Sequence, residues 1–480
     1  MLCATLATAE RTAVPADLLF RSALELAALV RERALSPVEL TELALAQVEQ
    51  LNPVLNALVT IDGDGALATA KLAEERVMAG GDLPPFLGIP TVIKDVHPTA
   101  GLRTTFGTAA LAGFVPPFDA EHVARLRTAG FVFLGKTNVP EFGTVPYTES
   151  ALLGPARNPW DPSRTPGGSS GGAAAALAAG MVPVADGSDG GGSTRVPAAA
   201  CGVFGLKPSR GRVSNAPLFG DLYLGIVTPG PLTRFVTDAA AMLDAMAGYA
   251  PGDPHWAPPP ERPFLDEART DPGRLRIGVM TASPLAHRAV GTEAAAATED
   301  LGRLLESLGH LVEPCALPVP EQIEALFTDL WTAGLASNPM PPEQLEPFNQ
   351  HLAARGASLS ATALLRSFTA LQLHCRAIVA ASLPFDAVLY PTLTHDPFTV
   401  GELAGLDPDE AYDRAASFVG FTPIANLTGQ PAVSMPTGWS VAGLPIGVSA
   451  LGRPGDEATL LRLAAQVEHA TGWPSRRPPA

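Results

Sequence analysis

The sequence predicts an α/β fold, a sheet with helices packed on it, and three observations predict it. Helical and strand patterns alternate along the chain, the strand patterns are short apolar runs of the kind buried on both faces, and 480 residues at 46% hydrophobic and 17% charged supply a substantial core. Taken in order, Ser36-Pro37-Val38-Glu39 is a capping box with proline at N1, and Leu40, Leu43, Ala44 and Val48 form the helical stripe that Asn52-Pro53 should end. Residues 89–94 read as a buried strand ending on Lys94. Asp119 is expected to cap a short helix carrying Val123 and Leu126, with Gly130 at its C′ position and a strand over residues 131–134 directly after it. Residues 173–179 have helix-forming composition up to Gly180, and residues 182–185 follow as a strand. The Pro- and Asp-rich stretch 250–274 reads as a surface excursion. Beyond it, residues 275–280, 293–308 (ended by Gly309) and 311–312 make a strand, helix, strand unit. Residues 326–335 and 364–375 read as apolar helices, and 386–390 and 432–435 as buried strands.

Composition excludes several classes. No apolar run approaches the roughly 18 residues of a membrane span, and the first nine residues lack the basic start and apolar length of a signal peptide, so the expected location is the cytoplasm. Cys3, Cys201, Cys315 and Cys375 are dispersed, which gives no zinc spacing and no disulfide framework; reduced, buried thiols are expected. A formal net charge of −16 repels polyanions, so nucleic acid is not an expected partner.

Two motifs match familiar patterns and fail on context. Gly130 to Thr137 fits a phosphate-binding loop letter for letter, but the four intervening residues are Phe131-Val132-Phe133-Leu134, a strand where a flexible loop is required. Gly167 to Gly171 fits a nucleophile elbow around Ser169, with His395 and His469 downstream as nominal partners. An elbow needs a strand running into it, and the proline-rich segment from Asn158 to Pro166 cannot be one. What remains is a pair of glycine-bracketed serines, in Gly167-Gly168-Ser169-Ser170-Gly171-Gly172 and Asp189-Gly190-Gly191-Gly192-Ser193, which suggests a nucleophile facing backbone N–H groups. Without histidine as base, a buried lysine can accept the proton, and Lys94, closing an apolar strand before Asp95, is the candidate.

Together these stretches resemble the amidase signature family. The resemblance covers residues 88–95, 134–142, 157–161, 167–172, 189–197 and 205–208, and resumes at 426–432 and 443–447. It implies an α/β/α fold with a mixed twisted central sheet covered by helices on both faces and a site at the sheet's edge, in one domain over residues 17–475. Within that domain the N-terminal helices take about 17–60, the signature core about 80–215 and the excursion about 250–274.

By resemblance, Ser193 is the nucleophile, Ser169 the bridging serine after a non-proline cis peptide, and Lys94 the base of a Ser-Ser-Lys relay that forms an acyl-enzyme. The backbone N–H groups of Gly190, Gly191, Gly192 and Ser193 would form the oxyanion hole, with Asp189 and Arg195 bracing the loop and Ser170 supporting the base. Gly190 and Ala173 depart from the side chains common in the family at those positions. The strings around 189–193 and 207–212 look closer to the branch containing 6-aminohexanoate cyclic-dimer hydrolase than to the glutamyl-tRNA amidotransferase A subunit. The expected activity is cofactor-free, metal-free hydrolysis of a small-molecule amide, with the apolar segments 326–335 and 364–375 near the acyl group. A glutamine-hydrolysing amidotransferase A-type subunit and a catalytically inactive binding protein on the same fold are the competing readings. No membrane partner is expected, and a homodimer is the assembly left open.

Overall fold

The protein is described here by a computed structural model over residues 16–479; the leader reading of residues 1–9 and Cys3 lie outside the described residues. One eleven-stranded sheet organises the chain: β1 (Leu58–Ile61), β2 (Pro90–Lys94), β3 (Val132–Thr137), β4 (Val184–Asp189), β5 (Phe204–Lys207), β6 (Thr228–Thr233), β7 (Arg276–Val279), β8 (Leu311–Pro314), β9 (Ala387–Pro391), β10 (Ala432–Trp439) and β11 (Pro445–Gly452). Their order is β1-β3-β2-β4-β6-β5-β10-β11-β9-β7-β8. The βαβ rhythm of the sequence gives parallel pairs on both flanks, β3 with β2 and β2 with β4 on one, β9 with β7 and β7 with β8 on the other. Antiparallel pairs join them through the centre, so the sheet is mixed.

Helix Gly171–Ala178 is buried at every residue. It packs against β1, β2, β3, β4 and β6, and its alanines let its axis lie close to those strands. Helix Ala23–Arg31 is held by Asp238, whose carboxylate accepts from Ser22 Oγ at 2.7 Å and from the N–H groups of Ala23 and Leu24 at 2.8 and 3.1 Å.

Several local expectations change. Ser36 Oγ does cap helix Pro37–Leu55, accepting from Val38 and Glu39 N–H, but Pro53 sits inside it. In the last turn a missing N–H costs a single helical bond, and left-handed Asn56 (φ 46°) ends the helix instead. Asp119 does not cap helix Glu121–Thr128; its oxygens take Ala100 N–H at 2.7 Å and Arg127 Nε at 2.9 Å, which ties two loops together. The excursion 250–274 is not all surface, because helix Phe264–Ala268 within it buries Phe264 and Ala268 in the main core. Strand β3 runs on through Gly135, Lys136 and Thr137, so the apparent phosphate loop is buried strand, with Lys136 Nζ donating to Thr99 Oγ1 at 2.8 Å. Cys201 is buried, whereas Cys315 and Cys375 are half-buried free thiols. Among the described residues no helix is long and apolar enough to cross a membrane.

Candidate active site

Parallel strands β2 and β4 end side by side, and the chemistry-bearing side chains collect at their carboxyl ends. The site therefore sits over interior strands rather than at an edge of the sheet. Lys94 closes β2, and its Nζ lies 2.8 Å from Ser169 Oγ, 3.0 Å from Ser188 Oγ and 3.3 Å from the Ser188 carbonyl oxygen. The three contacts can be met by the three N–H bonds of an ammonium or by the two N–H bonds and one lone pair of a neutral amine. Burial pulls the Lys94 amine down from 10.5 to about 7, against the opposing pull of the Asp186 and Asp189 carboxylates.

Ser169 follows a cis Gly168–Ser169 peptide. The next residue joins the two glycine segments, Ser170 N–H donating to Ser193 O at 3.2 Å. Ser170 does not touch Lys94; its Oγ lies 3.3 Å from both Ser188 O and Ser188 N, so it reaches the amine through Ser188.

Asp189 closes β4 and organises the loop beyond it. Its carboxylate accepts Gly192 N–H at 2.7 Å, Thr194 N–H at 3.2 Å, and Arg195 Nε and Nη2 at 2.9 and 3.0 Å, with Asp189 and Arg195 both fully buried. Asn426 bridges the pair, donating to Asp189 Oδ1 at 2.9 Å and accepting from Arg195 Nη2 at 2.8 Å. Arg195 holds the Asp189 carboxyl well below the usual range, although burial pushes the other way. The Gly192 N–H is thus committed to Asp189, whereas the N–H groups of Gly190, Gly191 and Ser193 donate to no other described group. Gly192 has φ +134° and a Cβ there would lie 2.4 Å from Thr422 Oγ1, so only glycine fits. Thr422 Oγ1 donates to Gly191 O at 2.6 Å and steadies the loop from the C-terminal part of the chain.

Ser193 opens onto two cavities. The larger, about 650 Å³, has Lys94 and Ser169 on its floor and Phe106, Phe142, Tyr223 and Trp331 among its walls. The smaller, about 390 Å³, is lined by Gly191, Val196, Phe327 and Ile424, with Arg288 and Arg355 also facing it. Gly143, Ser193 and Trp331 border both. Trp331 is fixed between Tyr223 and Phe327, ring centroids at 4.7 and 5.5 Å, and donates from Nε1 to Thr144 O at 3.2 Å. Ser193 Oγ makes no hydrogen bond among the described residues. His395 and His469 are exposed and line neither cavity.

The sequence reading missed Ser188 and Trp331. Ser188 carried a signal, since β4 is wholly buried yet reads Val-Ala-Asp-Gly-Ser-Asp, and polar residues in a buried strand running into a glycine loop need partners. Trp331 carried none beyond the apolar stripe of its helix, Ile323–Ala336. Of the two apolar segments expected near the substrate, the first lines both cavities, and the second contributes Leu364.

Comparison with known proteins matches the Amidase family model over residues 39–461. A provisionally named amidase of Synechocystis sp. is 39% identical over 455 residues, covering 94% of this chain and 89% of its own. The 6-aminohexanoate-cyclic-dimer hydrolase of Paenarthrobacter ureafaciens is 34% identical over 493 residues, covering 96% and 97%. A solved structure of 6-aminohexanoate cyclic dimer hydrolase complexed with substrate superposes with a TM-score of 0.90 at 34% identity, covering 96% of this chain and 99% of that one.

Proposed function

The chain belongs to the amidase family and is a hydrolase of carbon–nitrogen amide bonds, and from that premise we propose that it works through a Lys94, Ser169, Ser193 relay and an acyl-enzyme. The observation that carries this reading is the contact set of Lys94: a buried amine whose Nζ lies within hydrogen-bond distance of Ser169 Oγ and is held from the other side by Ser188 Oγ and the Ser188 carbonyl oxygen. Ser193 Oγ attacks the amide carbonyl while its proton passes to Ser169 and the Ser169 proton to Lys94. The oxyanion that forms meets the N–H groups of Gly190, Gly191 and Ser193, each preorganised donor being worth on the order of 3 kcal/mol in the transition state. Running the relay backwards delivers a proton to the amide nitrogen as the C–N bond breaks, and water then repeats the attack on the ester.

Ser169 on the floor of the larger cavity favours that cavity for the departing amine, since the proton donor must reach the nitrogen. The acyl group then takes the smaller cavity beside Gly191. Apolar walls on both sides favour amides with apolar arms. Labelling with a fluorophosphonate and locating the adduct by mass spectrometry tests the assignment. The adduct is expected on Ser193, and modification of another residue refutes it. Turnover of aryl and alkyl amides by the isolated chain, with glutamine a poor substrate, separates free hydrolysis from an amidotransferase subunit.

A further inference from the structure

Behind Lys94 lies a second cluster that the relay does not use. His97 follows β2, His122 lies on helix Glu121–Thr128, and Asp186 is in β4; all three are buried, and no two share an element. His97 Nδ1 is 2.6 Å from Asp186 Oδ2, His122 Nε2 is 3.1 Å from His97 Nδ1, and His122 Nε2 is 3.5 Å from Asp186 Oδ1.

The arrangement is convergent, not serial. His97 Nδ1 faces both the carboxylate and the second imidazole, and His122 Nε2 faces both His97 Nδ1 and the carboxylate, so the ligating atoms of three elements converge on one place. Asp186 Oδ1 is left without a hydrogen bond, and so is His122 Nδ1, while Asp186 Oδ2 also accepts the Lys94 backbone N–H at 3.2 Å. The rings stand edge to face, at 85° with centroids 4.4 Å apart, which leaves room for both nitrogens to point at one place. Donors about 2.0–2.1 Å from a common ion lie about 2.9 Å apart at right angles and about 3.4 Å apart at the tetrahedral angle. The two imidazole nitrogens, 3.1 Å apart, fall between those values, and one ligand atom from each of the three residues lies within 4.8 Å of the others.

We propose that His97, His122 and Asp186 form a binding site for one divalent transition-metal ion. Two imidazoles and one carboxylate suit Zn²⁺ and its neighbours and not Ca²⁺ or Mg²⁺, which want all-oxygen shells. His97 and His122 line the larger cavity beside Lys94, so the remaining coordination position opens toward the substrate chamber, to water or to a coordinating ligand. Binding links the β2 end, the 121–128 helix and β4, and therefore favours the folded chain.

The test is equilibrium dialysis of the whole protein against Zn²⁺ with metal analysis, alongside a thermal-shift titration and the visible absorption of Co²⁺ as a geometry probe. One ion per chain, a rise in melting temperature with Zn²⁺, and an intense Co²⁺ band from a four- or five-coordinate site are expected. His122→Leu and, separately, Asp186→Asn should remove the ion and the Co²⁺ band, with circular dichroism reporting whether each variant is folded. Failure of the native protein to take up stoichiometric Zn²⁺, or undiminished uptake by folded His122→Leu, overturns the proposal. The first outcome makes the cluster a buried polar network, and the second moves the ion to another site.

Discussion

The proposed role of Lys94 as base at neutral pH requires the fold to remove its charge, and that yields a quantitative prediction. Burial shifts the amine from 10.5 to about 7, a change of about 5 kcal/mol in favour of the neutral form. At pH 7 an amine in water is neutral in about one molecule in 3,000, whereas this one is neutral in about half, a gain on the order of 10³ in available base. In the proposed relay the neutral form is the active one, so kcat/KM should rise with unit slope at acidic pH, bend near the shifted value and level off above it. Initial rates of an aryl amide at low concentration, taken from about pH 5.5 to 9.5, measure that profile directly. Lys94→Arg keeps a cation that cannot deprotonate, and it should lose about 10²- to 10⁴-fold in kcat, as Lys94→Ala should. A flat profile across this range, or an arginine variant within about tenfold of native kcat, refutes the assignment of Lys94 as the base.

Other outcomes follow from the same geometry. Ser193→Ala should lose on the order of 10⁴- to 10⁶-fold in kcat and all fluorophosphonate labelling while its unfolding curve stays native. Ser188→Ala removes one neutral acceptor from Lys94, and a cost of about 1 kcal/mol corresponds to about a fivefold drop in kcat with KM unchanged. Asp189→Asn leaves the buried Arg195 guanidinium without its counter-charge and turns an NH₂ toward donors, so urea unfolding should show a loss of about 3–5 kcal/mol. At Gly190 an added Cβ would stand 2.9 Å from Val227 and 3.1 Å from the Trp331 ring. Gly190→Ala should therefore raise KM for bulky aryl amides more than for small ones, measured across a substituent series.

Much of this molecule is readable along the chain because its signals are local. The Ser36 cap, the apolar strands at 90–94 and 132–134, and the glycine stops at Gly130, Gly180 and Gly309 depend on near neighbours, and they appear where periodicity put them. Two of the local errors come from partners outside the predicted element. Asp119 abandons the cap for Ala100 and Arg127, and residues 264–268 turn inward because the main core accepts Phe264. The same holds at the site. Lys94 and the two serines stand out by sequence context, but Trp331 and the His97, His122, Asp186 cluster do not, since their meaning lies in what faces them from other elements.

The sequence by itself determined the α/β class and the family, because each is written in residue types at short spacing. Only the tertiary structure decided that the site sits over interior strands, that Gly192 gives its N–H to Asp189, and that Ser193 stands between two cavities. The physical reason is range. Burial sets the charge state of Lys94, and its hydrogen-bond partners Ser169 and Ser188 lie 75 and 94 positions away along the chain.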